Sequence, residues 1–298
     1  MAVRTVGLIP VMAAIVGNAL VTFIKALAAL ASGSSVMFSE AVHSFADTLN
    51  QVFLLIGVKR SSRKSDEDFG YGYGNERFFW ALLSACGIFF VGAGVTLYNG
   101  ISSIIRPEPI EIHALVFLVL AASFVIEAIT LWIAERGLRA SYPDASWSER
   151  IGRADPSTLA VYLEDSAALI GVLVASASLS ISYYTENVMW DGIGSIVIGI
   201  LLGATAVILI SKNRSYLLGR SIPESEREEI IAALVAEPSI ERVIDFKSTV
   251  LGIGVYRIKF EIEFNGPALF KEAYQQKYLK GQYEEVKNDY EAFKRFCV

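Results

Sequence analysis

Apolar residues are concentrated in six long stretches in the first two thirds of the chain. They cover residues 6–31, 36–58, 78–101, 112–135, 158–182 and 190–211. Each is long enough to cross a bilayer as a helix, because the hydrocarbon core is spanned by about 20 apolar residues. The pattern therefore predicts a domain of six transmembrane helices over residues 1–215.

Residues 216–298 have the pattern of a water-soluble domain. A helix is expected from Pro223 to about Ala236, followed by strands over 240–250 and 255–264. The second strand alternates apolar and charged residues strictly, which is typical of a half-buried strand, and residues 251–254 supply the turn. A further helix is expected from Pro267 onward. Such a unit has an open sheet edge, so either a partner chain covers it or the chain is shorter than its relatives.

Lysine and arginine are distributed unevenly between the loops. Only Arg106 lies in the loops on one side of the predicted membrane. The loops after the second and fourth stretches carry nine basic residues: Lys59, Arg60, Arg63, Lys64, Arg77, Arg136, Arg139, Arg150 and Arg153. Since short basic loops stay in the cytoplasm, both termini are expected to be cytoplasmic, in a bacterial inner membrane or an organelle membrane.

Composition agrees with a membrane protein and excludes other classes. Hydrophobic residues make up 53% of the chain, and the mean hydropathy is +0.46. The net charge of −5 argues against a nucleic-acid partner, which would require a basic surface. No arrangement of residues typical of a hydrolase or a transferase is visible, so an enzyme is not expected.

The second stretch carries an unusual series of polar residues. Glu40, His43, Asp47 and Asn50 follow one another at spacings of three, four and three, which places them on one face of a helix. A charged side chain in the middle of a membrane helix costs at least about 2.5–3.5 kcal/mol. This polar stripe is therefore expected to face protein or water, as in an ion pathway.

Imidazole and carboxylate together suit a divalent cation such as zinc, which binds His nitrogen and Asp or Glu oxygen in a tetrahedral site. The fifth stretch offers Glu164 and Asp165. Adjacent residues lie about 100° apart around a helix, so only one can point at the stripe. The predicted ligands are His43, Asp47 and Asp165, with Glu164 as an alternate ligand or a proton carrier.

A static charge network is the competing interpretation. Lys25 lies at a depth similar to that of His43 and could lock nearby carboxylates, including Glu127. In that case the protein is a metal-independent scaffold or regulator, with Lys25, Glu127, Glu164 and the stripe as structural elements. Asp191, near the end of the sixth stretch, is expected to be a helix cap or an interfacial residue.

Several segments resemble the cation diffusion facilitator family, and in particular its zinc transporter 9-like branch. The similarity covers residues 5–265 and includes a His-x-x-x-Asp spacing at His43 and Asp47. The matching segments are Phe38–Gln51, Phe69–Gly72, Tyr71–Leu82, Leu163–Ala168 and Asp245–Ser248.

The resemblance implies an α-helical membrane protein with six transmembrane helices and a small α+β, ferredoxin-like cytoplasmic C-terminal domain over residues 216–298. It implies a metal site shared between the second and fifth membrane helices, and a homodimer joined partly through the tail. It also implies proton-coupled efflux of a divalent cation by alternating access. Zinc would be the transported substrate, and no prosthetic group is expected.

One position departs from the family pattern. The family has His or Asp four residues before the aspartate of the fifth helix, where this chain has Val161. Either the site has fewer protein ligands, or another side chain completes it; manganese, iron and cobalt therefore stay open beside zinc. The residues considered for completing the site are Glu164, Glu40, Asn50 and Asn18. The residues considered for proton coupling or a charge network are Lys25, Glu40, Glu127, Asn50 and Asn18.

Overall fold

A computed structural model describes residues 8–111, 113–141, 143–144, 146–154, 156–269, 281, 283, 286–287 and 289–296. The chain divides into two compact units. The first ends at Gly219 and includes residues 251–253, and the second begins at Arg220. Each unit is described by itself below.

The first unit is built from long helices. They are α1 (Leu8–Ser32), α2 (Ser35–Ser61), α3 (Glu76–Gly87), α4 (Gly94–Ile105), α5 (Ala114–Ser141), α6 (Trp147–Arg153), α7 (Pro156–Thr185) and α8 (Met189–Leu217). A π-helix, Ile88–Ala93, joins α3 and α4 into one continuous crossing. Within the described residues, six helices are long and apolar enough to cross a membrane. The predicted six-helix membrane architecture is confirmed.

Several helices extend past the predicted stretches. The second was expected to end at residue 58 but continues to Ser61 through Lys59 and Arg60. The sixth was expected to end at residue 211 but continues to Leu217. Hydropathy reports where the lipid-facing residues end, whereas backbone hydrogen bonds continue a helix into water, so the two boundaries differ.

α2 is the central helix, packing against α1, α3, α7 and α8, while α5 packs against α7 and α1. Small residues allow a close approach between α4 and α8. A Cβ added to Gly100 would come 2.9 Å from the carbonyl oxygen of Gly192, a close backbone contact of the kind that small residues permit in membrane helices. The apolar core includes Ala28, Met37 and Leu202.

The second unit contains α9 (Glu224–Val235), β1 (Ile240–Gly252), β2 (Val255–Phe264) and α10 (Tyr290–Phe296). The strands form a two-stranded hairpin sheet, and Gly254 adopts a φ of +69° in its turn. The fold class of six membrane helices with a small α+β unit is confirmed. Residues 266–269 are helical; the rest of the helix predicted from Pro267, through residue 280, lies outside the described residues.

Candidate functional site

The polar stripe of α2 faces the other helices. Glu40, His43 and Asn50 are buried, and Asp47 is half-buried. On the opposite face of the same helix, Phe38 and Phe45 are exposed. The orientation follows the spacing in the sequence, because residues three and four apart share a helix face.

His43 and Asp47 form the closest pair of predicted ligands. The His43 Nε2 atom lies 3.6 Å from the Asp47 Oδ2 atom, and the two side chains are 2% and 19% exposed. Neither ring nitrogen of His43 has a hydrogen-bond partner among the described residues. Buried polar groups are nearly always hydrogen-bonded, so this imidazole is available to another ligand.

The two adjacent carboxylates of α7 have different surroundings, as expected from their angular separation. Asp165 is half-buried. Glu164 is buried, and its Oε2 atom accepts a 2.5 Å hydrogen bond from the Asn50 amide. Asn50 in turn accepts a 2.7 Å bond from the Ser84 hydroxyl. Asn50 and Glu164 thus connect α2, α3 and α7.

Lys25 and Glu40 form a fully buried ion pair. The Lys25 Nζ atom lies 3.0 Å from the Glu40 Oε2 atom, and both side chains are 0% exposed. The Glu40 Oε1 atom has no hydrogen-bond partner among the described residues. Part of the charge network considered from the sequence is therefore present.

Gly171 of α7 makes room for this ion pair and was missed by the sequence analysis. A Cβ at this position would lie 2.6 Å from the Glu40 Oε1 atom. The sequence carries no signal for this role, because the contact joins α7 to a residue of α2 more than 100 positions away.

Asn18 lies apart from the other predicted residues. It is half-buried in α1, and its backbone carbonyl accepts a 2.8 Å hydrogen bond from the Thr22 hydroxyl. No contact among the described residues joins its side chain to His43 or Asp47.

The predicted ligands do not form a complete coordination sphere. In the part of the chain that the structure describes, no group of three or more His, Cys, Asp or Glu side chains could hold a metal ion as positioned. The structure brings His43 and Asp47 together, while Asp165 lies half-buried on α7. Binding an ion at this site would require side chains to move inward.

Asp191 caps the first turn of α2. Its carboxylate accepts 2.5 Å hydrogen bonds from the Ser34 hydroxyl and the Ser35 amide, and a 3.3 Å bond from the Val36 amide. The Ser35 hydroxyl accepts a 2.6 Å bond from the Asn99 amide. Asp191 is thus a helix cap, one of the two roles expected for it.

A second polar contact joins α2 to α8 near this cap. The hydroxyls of Ser39 and Ser195 lie 2.6 Å apart, and the Ser195 hydroxyl also donates to the Thr96 carbonyl at 3.1 Å. Serines are common in membrane helices, so the sequence analysis did not single out either residue.

The fold and the site define a class of protein. A bundle of membrane helices with an imidazole and several carboxylates buried between them is typical of ion carriers, because such groups are costly in a bilayer unless they serve a pathway. Residues 11–218 match the family model described as the cation efflux transmembrane domain. The chain belongs to this family of transporters.

Curated relatives support the same family. The chain is 39% identical over 259 residues to the human proton-coupled zinc antiporter SLC30A9, mitochondrial. It is 38% identical over 252 residues to metal tolerance protein C4 of Arabidopsis thaliana, and 27% identical over 254 residues to the cation-efflux pump FieF of Shewanella oneidensis. The resemblance inferred from the motifs of the second and fifth membrane helices is confirmed.

The alignments differ in how much of each relative they cover. They include 86% of this chain but 46% of the human protein, and 84% of this chain but 54% of the Arabidopsis protein. With the Shewanella pump they include 84% of this chain and 80% of the pump. The chain thus spans about half the length of the first two relatives.

Proposed function

We propose that this protein carries a divalent metal cation across a membrane in exchange for protons, with zinc as the substrate. The observation that carries this proposal is the buried imidazole of His43, which lacks any hydrogen-bond partner among the described residues and lies 3.6 Å from the Asp47 carboxylate. A nitrogen and an oxygen donor one helical turn apart match the ligands that zinc prefers.

Proton exchange follows from the chemistry of these groups. A metal ion binds a neutral imidazole and ionised carboxylates, so metal binding displaces protons and metal release allows them to return. The relatives support this proposal: the human protein is named a proton-coupled zinc antiporter, and the bacterial one a cation-efflux pump.

The finer features of the transport cycle are part of the same proposal. Both termini lie in the cytoplasm, as the basic loops indicate, and the ion leaves the cytoplasm by alternating access. The chain acts as a homodimer in which the open sheet edge of the tail is covered by a second copy. Manganese, iron and cobalt are the alternative substrates, because oxygen-rich sites also accept them.

The test is metal-driven proton flux in liposomes containing a pH-sensitive dye. Replacing His43 by alanine should abolish the flux that zinc produces, because the site loses its nitrogen donor. His113 provides a matched control: it is exposed at 58% and lies 3.2 Å from Glu111, so His113→Ala should transport like the original chain.

Size-exclusion chromatography establishes that both variants remain folded. Undiminished flux in folded His43→Ala would refute the assignment of the site. Absence of metal flux in the unmodified chain would favour the metal-independent scaffold instead.

A further inference from the structure

A groove of about 750 Å³ runs along the helical bundle between α1 and α4. Both helices pack against α2, which forms the floor of the groove. The lining of α2 extends from Ser35 to Phe45, a length of about 15 Å at the rise of an α-helix. This length matches half of a bilayer's hydrocarbon core, which is about 30 Å thick. The described residues that line the groove do not include His43, Asp47 or Asp165.

Most of the groove is apolar. Its walls include Phe45, Val91 and Val95, which are 47%, 50% and 39% exposed. The hydroxyl of Thr22, which also lines it, is already bonded to the Asn18 carbonyl at 2.8 Å. These side chains belong to membrane-spanning helices, whose surroundings in a bilayer are the hydrocarbon chains of lipids. An acyl chain therefore fits this part of the groove.

One end of the groove is polar. This end, called the rim below, consists of Ser102, Ser103, Arg106 and Glu108. Arg106 and Glu108 are exposed, and the two serines are half-buried. No hydrogen bond or ion pair among the described residues engages any of these four side chains. The rim thus offers a cation, an anion and two hydroxyls that are free to bind a ligand.

The two charges of the rim are close in sequence but do not pair with each other. Arg106 and Glu108 each precede a proline, and a residue before proline is disfavoured in the helical conformation. Arg106 accordingly adopts a φ of −130° and a ψ of 75°. The same segment is tied to the end of α1, where the Glu111 amide donates a 2.8 Å hydrogen bond to the Ser32 carbonyl. The backbone therefore holds two opposite, unpaired charges at the rim.

A phospholipid headgroup that contains a primary ammonium has the complementary charges. Its phosphate is an anion, which a guanidinium binds through parallel N–H donors, and serine hydroxyls donate to the remaining oxygens. Its ammonium is a cation with three N–H donors, which match the carboxylate of Glu108. Phosphatidylglycerol lacks the ammonium and carries a net negative charge, while the ammonium of phosphatidylcholine has no N–H group.

We infer that the groove binds one molecule of phosphatidylethanolamine. An acyl chain lies along the apolar walls, the phosphate binds Arg106, and the ammonium binds Glu108. This lipid site is separate from the predicted metal site, so the inference does not depend on which ion is transported. A lipid that binds the folded chain alone also stabilises it, in this case by filling the space between α1 and α4.

Native mass spectrometry of the purified full chain, at defined concentrations of added lipid, tests this inference. The chain should retain one phosphatidylethanolamine molecule. Its affinity for this lipid should be at least about tenfold higher than for phosphatidylglycerol with the same acyl chains, because hydrogen bonds to charged groups are stronger than neutral ones.

Glu108→Gln removes both the partner of the ammonium and the repulsion of an anionic headgroup. This variant should bind phosphatidylethanolamine about tenfold more weakly and phosphatidylglycerol more tightly, so that the preference disappears. Glu186→Gln is the matched control, since Glu186 is exposed in the connection between α7 and α8, at the same end of the bundle. Its preference should equal that of the original chain.

Arg106→Gln removes the partner of the phosphate and should weaken the binding of both lipids. Lys59→Gln makes the same change of charge at the opposite end of α2 and should weaken neither. Val95→Trp fills the apolar part of the groove, so it should weaken both lipids while leaving the rim intact. Soluble phosphoethanolamine has the headgroup charges without acyl chains and should not displace the bound lipid.

Size-exclusion chromatography establishes that the variants remain folded. Equal affinity of the original chain for the two lipids overturns the inference, and so does an unchanged preference in Glu108→Gln. Displacement of the lipid by phosphoethanolamine would assign the rim to a free phosphate compound instead. Retention of no lipid also overturns the inference, and conversion of a dimer to a monomer by Val95→Trp would then identify a second copy of the chain as the occupant.

Discussion

Two groups of buried polar side chains lie along α2, and they differ in how fully their hydrogen bonds are satisfied. The cap network, at the start of the helix, consists of Ser34, Ser35, Asn99 and Asp191. The acidic cluster, near the middle of the helix, consists of Glu40 with its partner Lys25 of α1, and of His43 and Asp47. Both oxygens of Asp191 accept hydrogen bonds, whereas the Glu40 Oε1 atom and both His43 nitrogens have no partner among the described residues.

Whether the hydrogen bonds are satisfied distinguishes polar side chains that stabilise the fold from those that are available to bind an ion. A satisfied buried network stabilises one arrangement of the chain, while an unsatisfied one costs free energy that another interaction must offset. Asp191 holds the first turn of α2 and leaves nothing for an ion to bind. In the acidic cluster, both ring nitrogens of His43 lack a partner among the described residues, and an entering cation can engage one of them.

The largest expected contrast comes from making the same substitution in both groups. Asp47→Asn should weaken Zn²⁺ binding by about a hundredfold, or about 2.7 kcal/mol, and leave the unfolding temperature of the metal-free protein nearly unchanged. Asp191→Asn should do the reverse: the new NH₂ group opposes either the Ser35 or the Val36 N–H group, so stability falls by about 1–3 kcal/mol while Zn²⁺ affinity is retained. Chelator competition and thermal unfolding in detergent measure both quantities.

Asp144→Asn, at an exposed position, controls for the substitution itself. The contrast between the two groups would fail if Asp191→Asn lost metal binding while remaining folded. It would also fail if Asp47→Asn proved the less stable of the two variants.

A smaller effect is expected at Gly171, where α7 meets the Lys25–Glu40 ion pair. In Gly171→Ala the added methyl group would lie 2.6 Å from the Glu40 Oε1 atom and must displace the carboxylate. Overpacking of this kind costs about 1–3 kcal/mol, so we expect a lower unfolding temperature. Because Glu40 is not one of the predicted ligands His43, Asp47 and Asp165, Zn²⁺ affinity should change little.

Gly17→Ala provides the control for Gly171→Ala. No atom lies within 4 Å of a Cβ at Gly17, so this variant should be neutral or more stable by up to about 1 kcal/mol. Equal losses of stability in both variants would show that Gly171 has no special contact with Glu40.

The smallest effect is expected in the loop before α3, where a polar contact is exposed to water. The Tyr73 hydroxyl donates a 2.6 Å hydrogen bond to Asp66, and this bond, followed by one from the Phe69 amide, lowers the pKa of Asp66 below its ordinary value of 3.8. A lowered carboxyl pKa means that the contact stabilises the loop above pH 3.8 and is lost as the pH falls through the lowered pKa.

Tyr73→Phe should move the pKa of Asp66 back toward its ordinary value, so the loop should lose its order at a higher pH than in the original chain. Amide hydrogen exchange over residues 63–73 at decreasing pH measures this shift. Identical pH profiles in the two proteins would contradict the role of the Tyr73 hydroxyl.

The sequence was sufficient for the features that depend on local periodicity. The apolar stretches predicted six membrane helices, and the spacing of Glu40, His43, Asp47 and Asn50 predicted their common face. The first prediction uses the thickness of a bilayer, and the second uses the repeat of the α-helix. Neither requires knowledge of contacts between residues that are distant in the chain. The π-helix at Ile88–Ala93 and the extension of α2 to Ser61 had no such signal.

Only the tertiary structure decided which carboxylates are paired and which remain open. Glu40 is held by Lys25, Glu164 by Asn50, and Asp191 by the first turn of α2, while Glu127 and His43 have no such partner among the described residues. The sequence indicates Glu40, His43, Glu127 and Glu164 as candidates but does not distinguish the paired side chains from the open ones. Their partners lie on helices that are distant in the chain, and the choice depends on how those helices rotate and pack against one another, which residue spacing within one helix does not determine.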